Sequence, residues 1–374
     1  MLEKINNKEI AKIFLKLGFT AFGGPAAHTA MMREEFVVKR NWLSEQQFLD
    51  LMGATNLIPG PNSTELAIHI GKEKGGWKGM LIAGSCFILP AVFITGILAY
   101  LYKLYGQLPQ VGPFVYGIKP AIIAIILAAV YPLGKKSLKS KELAFVGMSV
   151  LILSFFVLNE ILLMFGAGLL FMLYVTIRER KTLNSIFPLA MISVPLATTA
   201  TVTNMNLFWI FLKIGAVLYG SGYVLFAFLD TELVATGILS RQQLIDAIAV
   251  GQFTPGPVTS SVTFIGYQIN GFWGAVISTF AVFLPSFVFV ALLNPLLKFM
   301  RNSKLFSSFL DAVNIASVAL IFSVCIIMGQ EVITDWRTVV IAIVSLILTF
   351  GFRKVNSILI ILMGSVLGYC LTLM

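Results

Sequence analysis

The sequence predicts an all-α polytopic membrane protein built from two inverted-topology repeats, with about ten transmembrane helices plus two re-entrant helical hairpins. Three observations carry this. Apolar residues make up 58% of the 374 and charged residues only 12%, with a mean hydropathy of +0.90, far from the roughly 25% charge of a soluble chain. The second half of the chain repeats the first. The basic residues form clusters that fall on one side of a membrane only if the halves insert in opposite directions.

The repeat is legible block by block. Phe14-Leu15-Lys16-Leu17-Gly18 returns as Phe211-Leu212-Lys213-Ile214-Gly215, and Leu43-Ser44-Glu45-Gln46-Gln47 as Leu239-Ser240-Arg241-Gln242-Gln243. Pro59-Gly60-Pro61 returns as Pro255-Gly256-Pro257, Gly75-Gly76-Trp77 as Gly271-Phe272-Trp273, and Leu89-Pro90 as Leu284-Pro285. The offsets stay between 195 and 197 residues, so five blocks keep their order and spacing. The boundaries are an N-terminal repeat over 1–181, a Pro- and Thr-containing linker over 182–206, and a C-terminal repeat over 207–374.

Each repeat reads as six apolar segments. The first (10–31 and 207–229) holds a glycine cluster, Gly23-Gly24-Pro25 and then Gly220-Ser221-Gly222. The second (46–70 and 242–268) is interrupted by Pro-Gly-Pro. That triplet removes two backbone donors in mid-segment, so the segment is read as a hairpin whose ends share one side. The third (80–102 and 274–297) carries one proline. The last three are uninterrupted or nearly so: 118–134, 143–158 and 160–177, then 311–329, 337–352 and 355–373. Residues Met1 to Lys12 are polar and give no signal-peptide core.

Charge sets the orientation. The loops around the first hairpin are basic (Arg33, Lys39, Arg40, Lys72, Lys74, Lys78), whereas those around the second hold only Arg241 with Asp230 and Glu232. With the first pair inside and the second outside, 18 of the 27 Lys and Arg lie inside. If the first segment crosses fully, the N terminus is outside with Lys4 and Lys8. If it turns back at Gly23-Gly24-Pro25, the N terminus is inside and the linker must cross. The first version is adopted here, and both keep the repeats inverted.

The formal net charge of +10 is spread over interhelical loops, which argues for membrane orientation and against nucleic acid. Cys86, Cys325 and Cys370 lie in apolar runs without CxxC or His spacing, so neither disulfides nor a metal site is expected, and no cofactor is called for. No Walker A sequence, HExxH or paired-carboxylate constellation occurs, and there are only two His, so an integral-membrane enzyme or ATPase is disfavoured.

Phe22-Gly23-Gly24-Pro25-Ala26-Ala27-His28, Asn41-Trp42-Leu43 and Leu57-Ile58-Pro59-Gly60-Pro61-Asn62-Ser63-Thr64 resemble the N-terminal half of the chromate ion transporter family. Tyr219 to Leu225, Gly251 to Val258 and Thr263-Phe264-Ile265-Gly266-Tyr267 resemble its C-terminal half, so the resemblance is to a two-domain member over nearly the whole chain. It implies a multi-pass plasma (inner) membrane protein that transports the chromate dianion, usually as efflux giving chromate resistance. Ser221 departs from the family's glycine but is small. Sulfate has nearly the shape and charge of chromate, so sulfate uptake or exchange is the rival reading, and a passive anion channel a further one. The sequence is silent on oligomeric state and leaves a homodimer open.

The residues themselves argue for an anion. After each Pro-Gly-Pro a helix can restart, through Asn62, Ser63, Thr64 and Glu65 in one repeat and Val258, Thr259, Ser260 and Ser261 in the other. A helix N terminus offers free N–H groups and about half a positive charge, which suits an oxyanion. Asn56, Gln252 and Thr254 add polar groups beside the breaks. The expected substrate-binding set is Asn56, Pro59, Gly60, Pro61, Asn62, Ser63, Thr64, Gln252, Thr254, Pro255, Gly256, Pro257, Thr259, Ser260 and Ser261, near the bilayer midplane. The competing reading is a plain kink with hydroxyls bonded to their own backbone.

Gly23, Gly24, Gly220 and Gly222 are expected to support close helix approach. Lys16 and Lys213 are read as site residues or as interfacial snorkels. His28, Glu65 and His69 are the candidates for proton coupling. Ser44 with Gln47 and Ser240 with Gln243 form capping-box patterns, and the equivalent Asp50 and Asp246 are expected to stabilise the hairpin entrances. Arg33 with Glu34 is a candidate gate pair, with a solvated loop as its rival. Lys119, Trp77 and Trp273 are expected to be interfacial anchors.

Overall fold

The computed structural model describes residues 5–106, 108, 111–156, 159–178, 202–219, 222–292, 303–352 and 355–373, which are helical and contain no strand. The N-terminal repeat comprises α1 (Asn7–Thr20), α2 (Gly24–Arg33), α3 (Glu45–Thr55), α4 (Asn62–Tyr105), α5 (Gly112–Ser137), α6 (Lys141–Ser154) and α7 (Glu160–Arg178). The C-terminal repeat comprises α8 (Asn204–Val217), α9 (Leu225–Leu229), α10 (Arg241–Phe253), α11 (Ser261–Leu292), α12 (Lys304–Val332), α13 (Trp336–Gly351) and α14 (Ser357–Thr372). Among the described residues, five helical segments are long and apolar enough to cross a membrane: α4, α5, α7, Val258–Leu292 and α12. α8, α13 and α14 are shorter and equally apolar in character. The chain is therefore a helical, multi-pass membrane protein.

The local punctuation forms as its chemistry requires. Ser44 and Ser240 each cap a helix, with the Gln47 and Gln243 side chains returning the bond to the cap backbone. Pro-Gly-Pro ends α3 and α10, and a helix restarts at Asn62 in one repeat and through a 3-10 turn, Val258–Ser260, in the other. α4 then doubles back at Gly76 (φ 63°) and α11 at Gly271 (φ 61°). The tightness of both turns is set by glycine, since a Cβ on Gly71 would overlap the Gly79 carbonyl and one on Gly266 the Gly274 carbonyl. Trp77 and Trp273 follow these turns and are exposed.

The first segment departs from the adopted expectation of a full crossing. α1 stops at Thr20, and Gly23 (φ 101°) and Gly24 (φ 78°) turn the chain back. Phe36 stacks on Phe14 at 5.0 Å, and Arg40 pairs with Glu9 at 3.0 Å, so residue 40 lies beside the start of α1. The C-terminal repeat does the same, with Glu232 returning to pair with Lys213 of α8. The reason is steric: two successive left-handed positions end a helix. A 14-residue helix spans only about 21 Å. Of the linker 182–206, residues 182–201 lie outside the described residues, as do Gly220 and Ser221, and α8 already begins at Asn204.

The repeats interlock. α4 packs along α11, with Tyr102 against Phe264 at 5.1 Å, Gln268 donating to the Ala99 carbonyl at 3.1 Å, and Lys72 Nζ donating to the Val290 carbonyl at 2.6 Å. α5 meets α14 where Gly117 faces Gly364 and Gly368, and α6 and α7 meet α12 through Gly147 and Gly168. Small residues let helices approach where lipid supplies no hydrophobic drive.

One charge assignment changes. Lys119 is an ion-pair partner of Asp246 (3.4 Å) instead of a lipid anchor, and Tyr102 donates to the same carboxylate at 2.6 Å. Burial selects pairing over snorkelling there, because both side chains are largely enclosed. Arg33 pairs with Glu45 (2.7 Å) and Glu34 with Lys39 (3.6 Å), all exposed, so Arg33 and Glu34 form no gate. Asp50 differs from its repeat partner Asp246: it is half-buried and accepts from Gln46 at 3.2 Å.

Candidate functional site

The two Pro-Gly-Pro breaks are where backbone of one repeat bonds to backbone of the other. The Gly60 N–H donates to the Leu218 carbonyl at 2.6 Å, and the Gly256 N–H donates to the Ala21 carbonyl at 2.8 Å. Leu218 and Ala21 are the C-caps of α8 and α1 and are equivalent positions in the repeat. Each break is thus held by the end of the first helix of the opposite repeat. Glycine is required at both: Gly60 has φ 147° and Gly256 φ 88°. A Cβ on Gly60 would strike the Glu65 carboxyl and sit 2.5 Å from Ser286 Oγ, and one on Gly256 would sit 2.9 Å from Ala91 Cβ. Ser286 and Ala91 are again equivalent, so one packing solution is built twice.

Immediately after each break a helical N terminus begins with no side-chain cap, at Pro61 and at Pro257. The residues that follow are enclosed: Ser63, Thr64, Glu65, Thr259, Ser260 and Ser261 are all buried. Among the described residues, Thr64 Oγ1, Thr259 Oγ1, Ser261 Oγ, Gln252 Nε2 and both Glu65 carboxyl oxygens have no hydrogen-bond partner. Buried polar atoms are nearly always paired, so a cluster of orphans beside two uncapped helix starts marks a polar site. The plain-kink reading requires the hydroxyls to bond to their own backbone; Thr254 does so, donating to the Gly251 carbonyl at 3.2 Å. Thr64, Thr259 and Ser261 do not.

The other expected residues distribute as follows. Asn62 Nδ2 donates to Asn56 Oδ1 at 3.2 Å, which closes the first break. Ser260 Oγ lies 3.4 Å from Thr95 Oγ1 of α4. Among the described residues no hydrogen bond joins the two hydroxyl sets directly. Gly24 and Gly222 face opposite-repeat and site groups respectively: a Cβ on Gly24 would lie 3.0 Å from the Tyr223 hydroxyl, and one on Gly222 3.5 Å from Thr259 Oγ1. A Cβ on Gly23 would meet only its own helix at Ala27. Pro59, Pro61, Pro255 and Pro257 are buried in the breaks.

Of the ionisable candidates, Glu65 sits beside Gly60 and within electrostatic reach of Tyr219. His28 Nε2 lies 3.1 Å from the Ala21 carbonyl, the same oxygen that receives the Gly256 N–H. His69 is buried one turn beyond Glu65, with Nε2 unpartnered among the described residues. Lys16 is exposed, and Lys213 pairs with Glu232. Sequence reasoning missed Thr95, Ser286, Tyr219 and Tyr223. Ser286 follows the repeated Leu-Pro block and the tyrosines flank the second glycine cluster, so three of the four had a signal. Thr95 had none.

The buried array combines unpartnered hydroxyl and amide groups and the Glu65 carboxyl with two uncapped helix starts, and uncapped helix N termini are chemistry suited to an oxyanion. Among the described residues there is no group of three His, Cys, Asp or Glu suited to a metal ion.

The sequence model described as chromate transporter matches twice, over residues 8–172 and 205–369. A "Probable chromate transport protein" of Synechococcus elongatus is 31% identical over 96% of this chain and 94% of its own length. A "Chromate transport protein" of Cupriavidus metallidurans is 29% identical over 96% of this chain and 92% of its own. An uncharacterized transporter of Bacillus subtilis is 27% identical over 42% of this chain and 90% of its own length, the size of one repeat. No solved structure matches significantly. With the family matched once in each half, the chain belongs to the chromate transporter family and is a transporter, not an enzyme.

Proposed function

We propose that this protein is a secondary active transporter that exports chromate, or a related divalent oxyanion such as sulfate, across the plasma (inner) membrane by alternating access driven by a proton gradient. The substrate is held at the two Pro-Gly-Pro breaks by the N–H groups after Pro61 and Pro257 and by the hydroxyls of Ser63, Thr64, Thr259, Ser260 and Ser261. Glu65 carries the coupling proton. The repeats, 1–181 and 207–374 about the linker 182–206, insert in opposite directions, and the Pro-Gly-Pro segments are re-entrant.

The observation that carries this reading is the reciprocal pair of backbone bonds, Gly60 to Leu218 and Gly256 to Ala21, beside uncapped and orphan-lined helix starts. The antiparallel relation of the repeats is supported by two contacts at opposite ends of α4 and α11. Lys72, next to the first turn, meets Val290 and Ala291, while Gln268, next to the second turn, meets Ala99. Opposed half-helices at a midplane site are the common design of secondary transporters.

The test is uptake of labelled chromate into everted vesicles, with and without an uncoupler, for the native chain and for Ser63→Phe and Ser260→Phe. Uncoupler-sensitive, saturable uptake that both substitutions abolish is expected. Native-rate uptake by both variants refutes the site, and uptake indifferent to the uncoupler refutes the coupling. Competition by sulfate measures how far the site separates the two anions.

A further inference from the structure

Beside the first break lies a half-open cavity of about 350 Å³ between α3, α5 and α12. Its lining includes Asn56, at the first break, and Lys136, Lys139, Asp311, Asn314 and Ser317. It thus adjoins the Pro-Gly-Pro break of the N-terminal repeat and the C-terminal end of α5, where Lys135 and Lys136 lie in the last turn. No residue of the second break, 252–261, lines it.

Its charge is unequal. Lys139 Nζ binds Asp311 Oδ1 at 2.6 Å, so that acid is already answered. Lys136 is exposed and has no ion pair among the described residues. The lining therefore carries one surplus positive charge, on exposed Lys136, together with neutral amides and hydroxyls (Asn56, Ser137, Ser307, Asn314 and Ser317) set among apolar side chains. This is the pattern that attracts a dianion and passes it onward: charge where water screens it, and dipoles where a full cation would hold too tightly.

We propose that this cavity is the entry vestibule for the oxyanion on the lysine-rich face, with Lys136 as the capture residue, Asn314 as an intermediate donor, and the Lys139–Asp311 pair as the wall that keeps the passage from becoming a cation trap. The proposal rests on the break site described above. It adds that this structure is open toward the lysine-rich face and that the first repeat receives the ion first. Small sites that raise local substrate concentration do so by the summed field of the walls, and the effect declines as salt screens it.

The experiment measures initial rates of labelled chromate, and separately of labelled sulfate, in vesicles that present the lysine-rich face to the medium. Lys136→Gln, Lys136→Arg and Asn314→Ala are compared with the native chain at low and high salt, with Ser63→Phe as the site control. Lys136→Gln is expected to raise KM about 5- to 10-fold at low salt with the maximal rate unchanged, and the difference is expected to shrink at high salt. Lys136→Arg is expected to restore native KM, which also excludes a folding defect, and Asn314→Ala to raise KM without a salt-dependent component. Vesicles of the opposite orientation are expected to show native KM for all three. If Lys136→Gln keeps native KM, or changes it equally from both faces, while Ser63→Phe abolishes transport, the vestibule is wrong and the break site stands. If Ser63→Phe transports normally, the break site itself fails and takes the vestibule with it.

Discussion

Replacing Gly256 by alanine tests the structural claim on which the site depends. Two separate costs apply. Gly256 sits at φ 88°, where an L-residue with a Cβ loses about 1–2 kcal/mol. The new methyl would also lie 2.9 Å from Ala91 Cβ of the opposite repeat, an overpacking worth about 1–3 kcal/mol. Together these reach about 2–5 kcal/mol and strain the Gly256 N–H bond to Ala21. Equilibrium unfolding in mixed detergent–SDS micelles measures the loss. The decisive arm is Gly256→Ala combined with Ala91→Gly, which removes the steric cost and leaves the backbone cost. The double variant is expected to recover about 1–3 kcal/mol relative to the sum of the single changes, a coupling that the cycle isolates. Additive single effects would mean the two residues are not in contact, and the cross-repeat packing at the second break would be refuted.

Three further outcomes follow from the same geometry. Lys119→Met leaves the buried Asp246 carboxylate without its cation and is expected to cost about 3–5 kcal/mol, with much of it regained in Lys119→Met/Asp246→Leu; the same unfolding assay decides. Ser240→Ala removes the α10 capping box and is expected to cost about 1 kcal/mol, as is Ser44→Ala on α3. The Arg33 guanidinium bonded to Glu45 holds that carboxyl below its ordinary value of 4.5. A depressed carboxyl stabilises the fold above its unfolded value and loses that contribution as pH falls through the folded one. Stability is therefore expected to fall below about pH 4.5, and Glu45→Gln to flatten that acid limb; an unchanged limb would remove the pair from the account.

Much of the architecture could be read in the chain because its signals are local. The capping boxes at Ser44 and Ser240, the helix restarts after Pro61 and Pro257, and the turns at Gly76 and Gly271 all follow from missing donors or positive φ. Those are properties of a few adjacent residues. The first segment was less legible. Gly23-Gly24-Pro25 is compatible with a kinked crossing or a reversal, and only the return of Arg40 to Glu9 decides between them. At the site, the residue types beside the breaks were readable, whereas Ser286 and Thr95 come from helices remote in sequence.

The sequence by itself determined that the protein is helical, membrane-embedded and duplicated, since long apolar runs leave lipid no other answer. Only the tertiary structure decided the partners: Gly60 with Leu218, Gly256 with Ala21, Lys72 with Val290, and Asp246 with Lys119 and Tyr102. The physical reason is that apolar faces are interchangeable in lipid. Which helices meet is settled by close approach of small residues and by the few polar groups that must find one another across the chain.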